Sequence, residues 1–232
     1  MKIQYAQYQQ KGTEHSKEMG CQDVVLASYR DGVAGISLAD GAGSYSYAKE
    51  GARAVCEQIH SYMSENFARF SIADDNRHMA GFIMQDIRHR LCVLAQEYDS
   101  PVEEFASTLL YSGTDGNNII FLHLGDGAVL GTRWRSPYMI SKPENGSCHR
   151  YTYLTTSPSA AEHLRIFVAQ RRFFDSVTLC SDGFPMDEYH YLLCEEDYDK
   201  SQLFYYATET AAAMTQKRNP SDDASFITMF IS

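Results

Sequence analysis

Several features that would place this 232-residue chain in a common class of protein are missing from its sequence. No stretch approaches the roughly 20 apolar residues that span a bilayer. The opening segment MKIQYAQYQQKGTEHSKEMG has neither the apolar core nor the cleavage site of a signal peptide. The chain also has no internal repeat and no low-complexity tract. We therefore expect a cytoplasmic protein without a membrane partner.

Cysteine motifs and positive charge are also scarce. The six cysteines are far apart and form no CxxC or Cys/His cluster, so we expect free thiols rather than disulfides or a zinc site. Lys and Arg number 20 against 30 Asp and Glu, which gives a formal charge of −10. Nucleic acids and anionic membranes bind clustered cations, so neither is expected as the main partner.

The hydrophobic pattern predicts two long helices between blocks of strands. VVLASYR and VAGISLA predict a hairpin around Asp31-Gly32, and apolar residues at helical spacing predict helices over about 47–70 and 77–98. A meander of ASTLLYSG, NIIFLHLGD and AVLGTRW follows, and then strands at HLRIFVAQ, DSVTLCS and ASFITMFIS, with a helix over 201–217. No linker divides the chain, so we expect residues 1–232 to form a single domain.

Acidic residues recur where strand-like apolar runs stop, in GISLADGAGS, IIFLHLGDGAV, SVTLCSDGF and SDDASFITMFI. Their carboxylates are Asp40, Asp126, Asp182 and the pair Asp222/Asp223. Singly, each would be a turn residue that caps its own backbone. If the strand ends meet in one fold, the crowded negative charge requires cations to neutralise it. All-oxygen ligation favours Mg²⁺ or Mn²⁺.

The ordered motifs CQD, ADGAG, STLL, LGDG, CSDG and SDDAS, with long helices after the second, resemble the metal-dependent type-2C protein phosphatase family. The similarity is strongest to its divergent bacterial branch and extends from Gly12 to Ile231. It implies an α+β fold, a four-layer α-β-β-α sandwich of two antiparallel sheets flanked by helices. It also implies two Mg²⁺ or Mn²⁺ ions, with a third held loosely, in a cleft at one end of the sheets.

The resemblance also implies roles for individual residues. Asp40 matches the carboxylate that bridges two metals, and the Gly41 carbonyl matches a backbone ligand. Asp182 matches a ligand of the second metal, and Asp222 matches the metal-bound member of the closing pair, with Asp223 in the partner position. The expected catalytic residues are Asp40, Asp182, Asp222 and His15. The expected metal-site residues are Asp23, Asp40, Gly41, Asp126, Asp182, Asp222 and Asp223.

The resemblance also implies roles for Asp23 and Asp126, and the chain departs from the family pattern at two positions. Asp23 matches a residue that reaches the first metal through water, and Asp126 matches the aspartate associated with the third ion. The family's phosphate-binding arginine is replaced by Glu18, and its presumed general acid, a histidine after Asp-Gly, is replaced by Ala42. His15 or Lys17 is the expected substitute for the arginine, and water or His15 for the general acid, although a loop histidine without a role is the alternative for His15.

The implied reaction is hydrolysis of a phosphomonoester by water, because two cations bridged by a carboxylate lower the pKa of a shared water. The sequence has no convincing Cys-x₅-Arg loop, serine elbow or Asp-x-Asp signature, which agrees with a mechanism without a protein nucleophile. We expect a Ser/Thr phosphoprotein phosphatase that opposes a cognate kinase. The alternatives are a weak or inactive module that binds a phosphoprotein, and a phosphatase of a small metabolite.

Overall fold

The computed structural model describes residues 3–14, 20–71, 76–134, 136–144, 152–184 and 200–231. The strands are Ile3–Gln10 (β1), Val24–Arg30 (β2), Val33–Ala39 (β3), Leu109–Thr114 (β4), Asn118–Leu124 (β5), Ala128–Arg133 (β6), Ser136–Ser141 (β7), Arg165–Gln170 (β8), Ser176–Cys180 (β9) and Ala224–Ile231 (β10). The helices are Ala48–Ser71 (α1), Asn76–Glu97 (α2), Ala160–His163 (α3) and Lys200–Arg218 (α4), with 3₁₀ turns at Val102–Phe105 and Arg171–Phe173.

The strands of this described part form two antiparallel five-stranded sheets, with the orders β2-β3-β4-β5-β8 and β1-β10-β9-β6-β7. Apolar side chains from both sheets share one buried cluster, which includes Ile36, Leu110, Phe121, Val177, Leu179 and Ile227. Helices α1 and α2 cover the outer face of the first sheet, and α4 packs against β1 of the second. The α+β four-layer sandwich implied by the resemblance is therefore confirmed.

The sequence correctly predicted the elements that frame this sandwich. The β2–β3 hairpin turns at Asp31 and Gly32, whose φ angles of 52° and 83° are those of a tight two-residue hairpin turn. Helices α1 and α2 occupy the ranges expected from the apolar spacing. None of the described helices combines the length and apolar character needed to cross a membrane.

Two strands differ from the sequence-based prediction. Strand β1 was missed because its residues, IQYAQYQQ, are mostly polar, yet they pair along their whole length with β10. Strand β6 is not part of a meander, since β5 pairs with β8 and β6 crosses to the other sheet between β7 and β9. The crossing occurs at Gly125, whose φ of +114° and close approach to Thr108 exclude a side chain.

One helix histidine is buried, and the described cysteines are unpaired. His78 and His89 are exposed on α2, but His60 on α1 is only 5% exposed and hydrogen-bonds through its ring nitrogens to the Ser28 and Ser37 hydroxyls. Burial lowers the pKa of His60 to about 4, so the ring is neutral. The described cysteines are free thiols, whereas Cys148 and Cys194 lie outside the described residues.

Two helix glycines should respond oppositely to alanine. A Cβ on Gly51 in α1 would lie 2.0 Å from the Phe105 carbonyl oxygen, whereas a Cβ on Gly81 in α2 would meet nothing within 4 Å. Gly51→Ala should therefore lower the free energy of unfolding by about 1–3 kcal/mol. Gly81→Ala should raise it by about 0.5–1 kcal/mol through helix propensity. Urea unfolding of both variants tests this pair, and stabilisation by both would contradict the packing described for Gly51.

Candidate metal centre

Four of the expected acidic residues meet at one edge of the sandwich. Asp40 follows β3, Asp126 joins β5 to β6, Asp182 follows β9, and Asp222 precedes β10. They line a common cavity of about 440 Å³, together with backbone of the Gly41 turn. We call it the acidic cavity. The two sheets thus bring together side chains that are up to 182 positions apart, because their strand ends meet at this edge.

Negative charge is concentrated in the acidic cavity. Burial raises the pKa of Asp40 well above its ordinary value, and the nearby carboxylates of Asp23, Asp182, Asp222 and Asp126 raise it further. Burial, together with Asp126 and Asp222, raises the pKa of Asp182 to about 6. These shifts mean that the carboxyl groups of the cavity do not all ionise unless a positive charge enters it.

Asp23 is a buried acid beside this cavity. Its side chain is 1% exposed, and its Oδ2 accepts a hydrogen bond of 2.9 Å from the Ser181 hydroxyl. Its Oδ1 is buried without a hydrogen-bond donor. Burial raises the pKa of Asp23 to about 7, against hydrogen bonds from Ser225 and Ser181 that lower it. A cation or its bound water would satisfy the unpartnered oxygen.

Backbone contacts fix the direction of Asp40. Its N–H donates to the Thr108 hydroxyl and its carbonyl accepts from the Thr108 N–H, both at 2.9 Å. A Cβ on Gly41 would lie 2.9 Å from the Ala48 carbonyl, so only glycine fits between the ADG turn and the start of α1. The sequence reasoning missed the role of Thr108, for which the STLL motif was the available signal.

The Asp126 turn is held by two polar side chains. The Thr152 hydroxyl donates to Oδ2 of Asp126. The Gly125 carbonyl lies 3.0 Å from Nε2 of His123. A carbonyl only accepts, so Nε2 carries the proton and Nδ1 accepts from Ser141 at 2.8 Å. Burial lowers the pKa of His123 to about 3, which keeps the ring neutral and this arrangement intact. Neither Thr152 nor His123 was identified from sequence.

Asp223, which was expected among the metal-site residues, does not line the acidic cavity. Its side chain is 1% exposed, and its carboxylate oxygens accept the backbone N–H groups of Gly12 at 2.7 Å and Gln22 at 2.5 Å. Asp222 accepts the Asp223 N–H at 2.8 Å and lies on the cavity wall. Asp223 therefore joins the N-terminal segment to the closing motif.

Substitutions of the closing pair, Asp222 and Asp223, should affect metal binding and stability separately. Asp223→Asn places an amide N–H₂ against a backbone N–H and should cost about 1–3 kcal/mol of unfolding free energy. Asp222→Asn keeps an oxygen for the Asp223 N–H, so stability should change little while affinity for Mn²⁺ falls by at least about tenfold, as expected for loss of a ligand. Urea unfolding and Mn²⁺ calorimetry on both variants test this. Equal losses of Mn²⁺ affinity with unchanged stability would contradict the assignment.

The acidic cavity fits divalent cations with shared ligation. Within the described ranges, no three acidic, histidine or cysteine side chains are close enough together to hold one ion unaided. An ion here would need backbone or water ligands as well, and Gly41, which lines the cavity, has a backbone carbonyl that would supply one. His15 and Lys17, the expected phosphate contacts, and Glu18, which replaces the family's arginine, lie outside the described residues.

Comparison with known proteins identifies relatives of this arrangement. The chain is 26% identical over 167 residues to Serine/threonine-protein phosphatase 3 of Escherichia coli (strain K12). The aligned part is 69% of this chain and 66% of that protein, so the chain spans just under two thirds of the length of that relative.

Solved structures share the fold over almost the whole chain. Serine/threonine phosphatase Stp1 from Staphylococcus aureus superposes with a TM-score of 0.72 at 16% identity, over 100% of this chain and 96% of that one. The catalytic domain of PstP, solved with two manganese ions, gives 0.68 at 14% identity, over 98% and 97%. The family model described as protein phosphatase 2C matches residues 11–223. The chain therefore belongs to the protein phosphatase 2C family of metal-dependent phosphoprotein phosphatases.

Proposed function

We propose that this chain hydrolyses phosphoserine and phosphothreonine in proteins, using divalent cations held in the acidic cavity. The observation that supports this most directly is the electrostatics of Asp40, whose pKa is raised by burial and by four neighbouring carboxylates. Such a cluster favours binding of polyvalent cations, and the same edge of the fold is open to a phosphorylated side chain through the cavity mouth. Two Mg²⁺ or Mn²⁺ ions, when bound, supply an activated water and neutralise phosphate charge.

Each residue of the proposed site has a distinct task. Asp40, which Thr108 holds in place, would ligate the bound cations through its carboxylate, and the Gly41 carbonyl would supply an uncharged oxygen. Asp182 and Asp222 would supply further carboxylate ligands, whereas Asp23, which is almost fully buried, would contact a cation through water. Asp126 would supply a carboxylate for a third, weakly held ion. Ala42 replaces the family's general acid, so protonation of the leaving group falls to water or His15.

The biological setting belongs to the same proposal. Substrates are proteins phosphorylated on Ser or Thr by a cognate kinase, and the chain acts in the cytoplasm as one domain over residues 1–232. The lack of clustered Lys and Arg that argued against nucleic acid also fits a protein substrate.

The experiment measures release of p-nitrophenol from p-nitrophenyl phosphate, and of phosphate from a phosphoserine peptide, across a Mn²⁺ titration. Excess chelator is the matched condition. Activity that appears with Mn²⁺ and disappears with chelator supports the proposal. Activity unaffected by chelator would refute it. Mn²⁺ binding without hydrolysis of any substrate would instead favour a phosphoprotein-binding module.

A further inference from the structure

A second cavity lies beside the acidic cavity, between the start of β2 and the first turns of α1. Its volume is about 270 Å³, and we call it the side cavity. Its lining includes Cys21, Asp23, Lys49, Arg53, Cys56 and Glu57. The side cavity contains none of the four carboxylates that line the acidic cavity. It is therefore a separate concave surface and not an extension of the ion-binding region.

The two cavities are neighbours in the fold. Asp23 lines the side cavity, and its carboxyl group interacts with that of Asp40 on the acidic side. The first residue of α1, Ala48, lies against Gly41, since its carbonyl oxygen would be 2.9 Å from a Cβ there. Lys49 directly follows Ala48. A peptide whose phosphorylated residue enters the acidic cavity would thus pass its adjacent residues close to the side cavity.

The side cavity presents two positive charges. Lys49 is half-buried and Arg53 is exposed, and their spacing of four residues puts both on one face of α1. Among the described residues, neither forms an ion pair or a hydrogen bond. Glu57 is at the rim one turn further on and does not pair with Arg53. Two unpaired cations beside an acidic cavity are notable in a chain with a formal charge of −10.

We propose that Lys49 and Arg53 form a subsite for an anionic group of the substrate protein next to the phosphorylated residue. This inference rests on the proposed phosphatase function and specifies its substrate class. The hydrolysed phosphate itself belongs in the acidic cavity, so the subsite binds a neighbouring carboxylate or a second phosphate. Peptides with acidic residues beside the phosphoserine are therefore the preferred substrates, although the protein as a whole repels anions.

The experiment compares kcat/KM for three phosphoserine peptides of equal length, flanked by Gln, by Asp or Glu, or by a second phosphoserine. The acidic peptides should exceed the neutral one by about tenfold, as expected for two partly screened ion pairs, mainly through KM. Lys49→Ala/Arg53→Ala should reduce that ratio to about one. The charge-conserving variant Lys49→Arg/Arg53→Lys should keep the ratio of the unsubstituted protein, and Glu57→Gln should raise that ratio. The two acidic peptides distinguish a carboxylate ligand from a phosphate ligand.

Controls separate this inference from the proposed function. Arg88→Ala removes one positive charge from an exposed position on α2 and should leave the ratio unchanged. The rate with p-nitrophenyl phosphate, which has no neighbouring anion, normalises losses common to all substrates. A ratio unaffected by the double alanine variant overturns the subsite, as does an equal loss on every substrate. If no substrate is hydrolysed, the proposed function fails, and fluorescence anisotropy of the same peptides with Mn²⁺ still tests the subsite by binding.

Discussion

Asp40→Asn is expected to lower kcat by at least about 10³-fold, because it removes the carboxylate that is central to binding of the two proposed metal ions. The loss corresponds to several kcal/mol of transition-state stabilisation. In chelator, the same variant should unfold at a higher temperature than the unsubstituted protein. The reason is that the substitution removes one buried charge from a cluster of five mutually repelling carboxyl groups. Steady-state kinetics and thermal unfolding with and without Mn²⁺ measure both effects.

A matched control makes the Asp40 result specific. Asp115 is a turn aspartate whose Oδ1 accepts the backbone N–H groups of Asn117 and Asn118, and it is not part of the acidic cavity. Asp115→Asn makes the same chemical change and should leave both kcat and the stabilisation by Mn²⁺ unaltered. An Asp40→Asn variant that kept Mn²⁺-dependent turnover, or that was less stable in chelator, would contradict the role given to Asp40.

The metal-free protein should become less stable as pH rises to 8. Burial raises the pKa of Asp23 to about 7 and that of Asp182 to about 6, and the pKa of Asp40 is raised well above its ordinary value. The folded state therefore holds protons that the unfolded chain has already released, so the unfolding free energy falls with pH through these folded values. At pH 8 the total cost should reach several kcal/mol, at about 1.4 kcal/mol per unit of pKa shift.

Two buried histidines change the unfolding free energy with pH in the opposite direction, and they set the pH range in which the carboxyl groups can be measured. Burial lowers the pKa of His60 to about 4 and that of His123 to about 3, so their contribution to stability grows with pH up to about 6.5 and is constant above it. Urea unfolding between pH 6.5 and 8 isolates the carboxyl groups. Stability should decline there in chelator, and saturating Mn²⁺ should remove the decline. A rise with pH in chelator would contradict the charge cluster.

Strong local signals made most of the fold predictable. Asp31-Gly32 specifies its hairpin by turn chemistry, and α1 and α2 follow from apolar spacing alone. Strand β1 has no such signal, because its order depends on pairing with β10, more than 200 residues away. The transfer of β6 to the other sheet is likewise set by which partners are available, and not by anything within AVLGTR.

The acidic cavity was predictable for a different reason. Asp40, Asp126 and Asp182 each follow a strand, and sheets that stack face to face bring such ends together. Two of the residues that hold them, Thr152 and His123, were not predictable, since they act through contacts that no local pattern encodes. The role of Asp223 was likewise not predictable from sequence, because its position suggests a metal ligand and only its distant backbone partners indicate a structural role.

The pairing of β1 with β10 has a consequence for synthesis of the protein. One sheet is built entirely from residues 24–170, so it can form while translation continues. The other has β10 between β1 and β9, and the Gly12–Asp223 hydrogen bond joins residues 211 positions apart. A nascent chain on the ribosome therefore cannot complete this sheet until residues 224–231 emerge, and products of premature termination upstream of them would leave β1 without its partner strand.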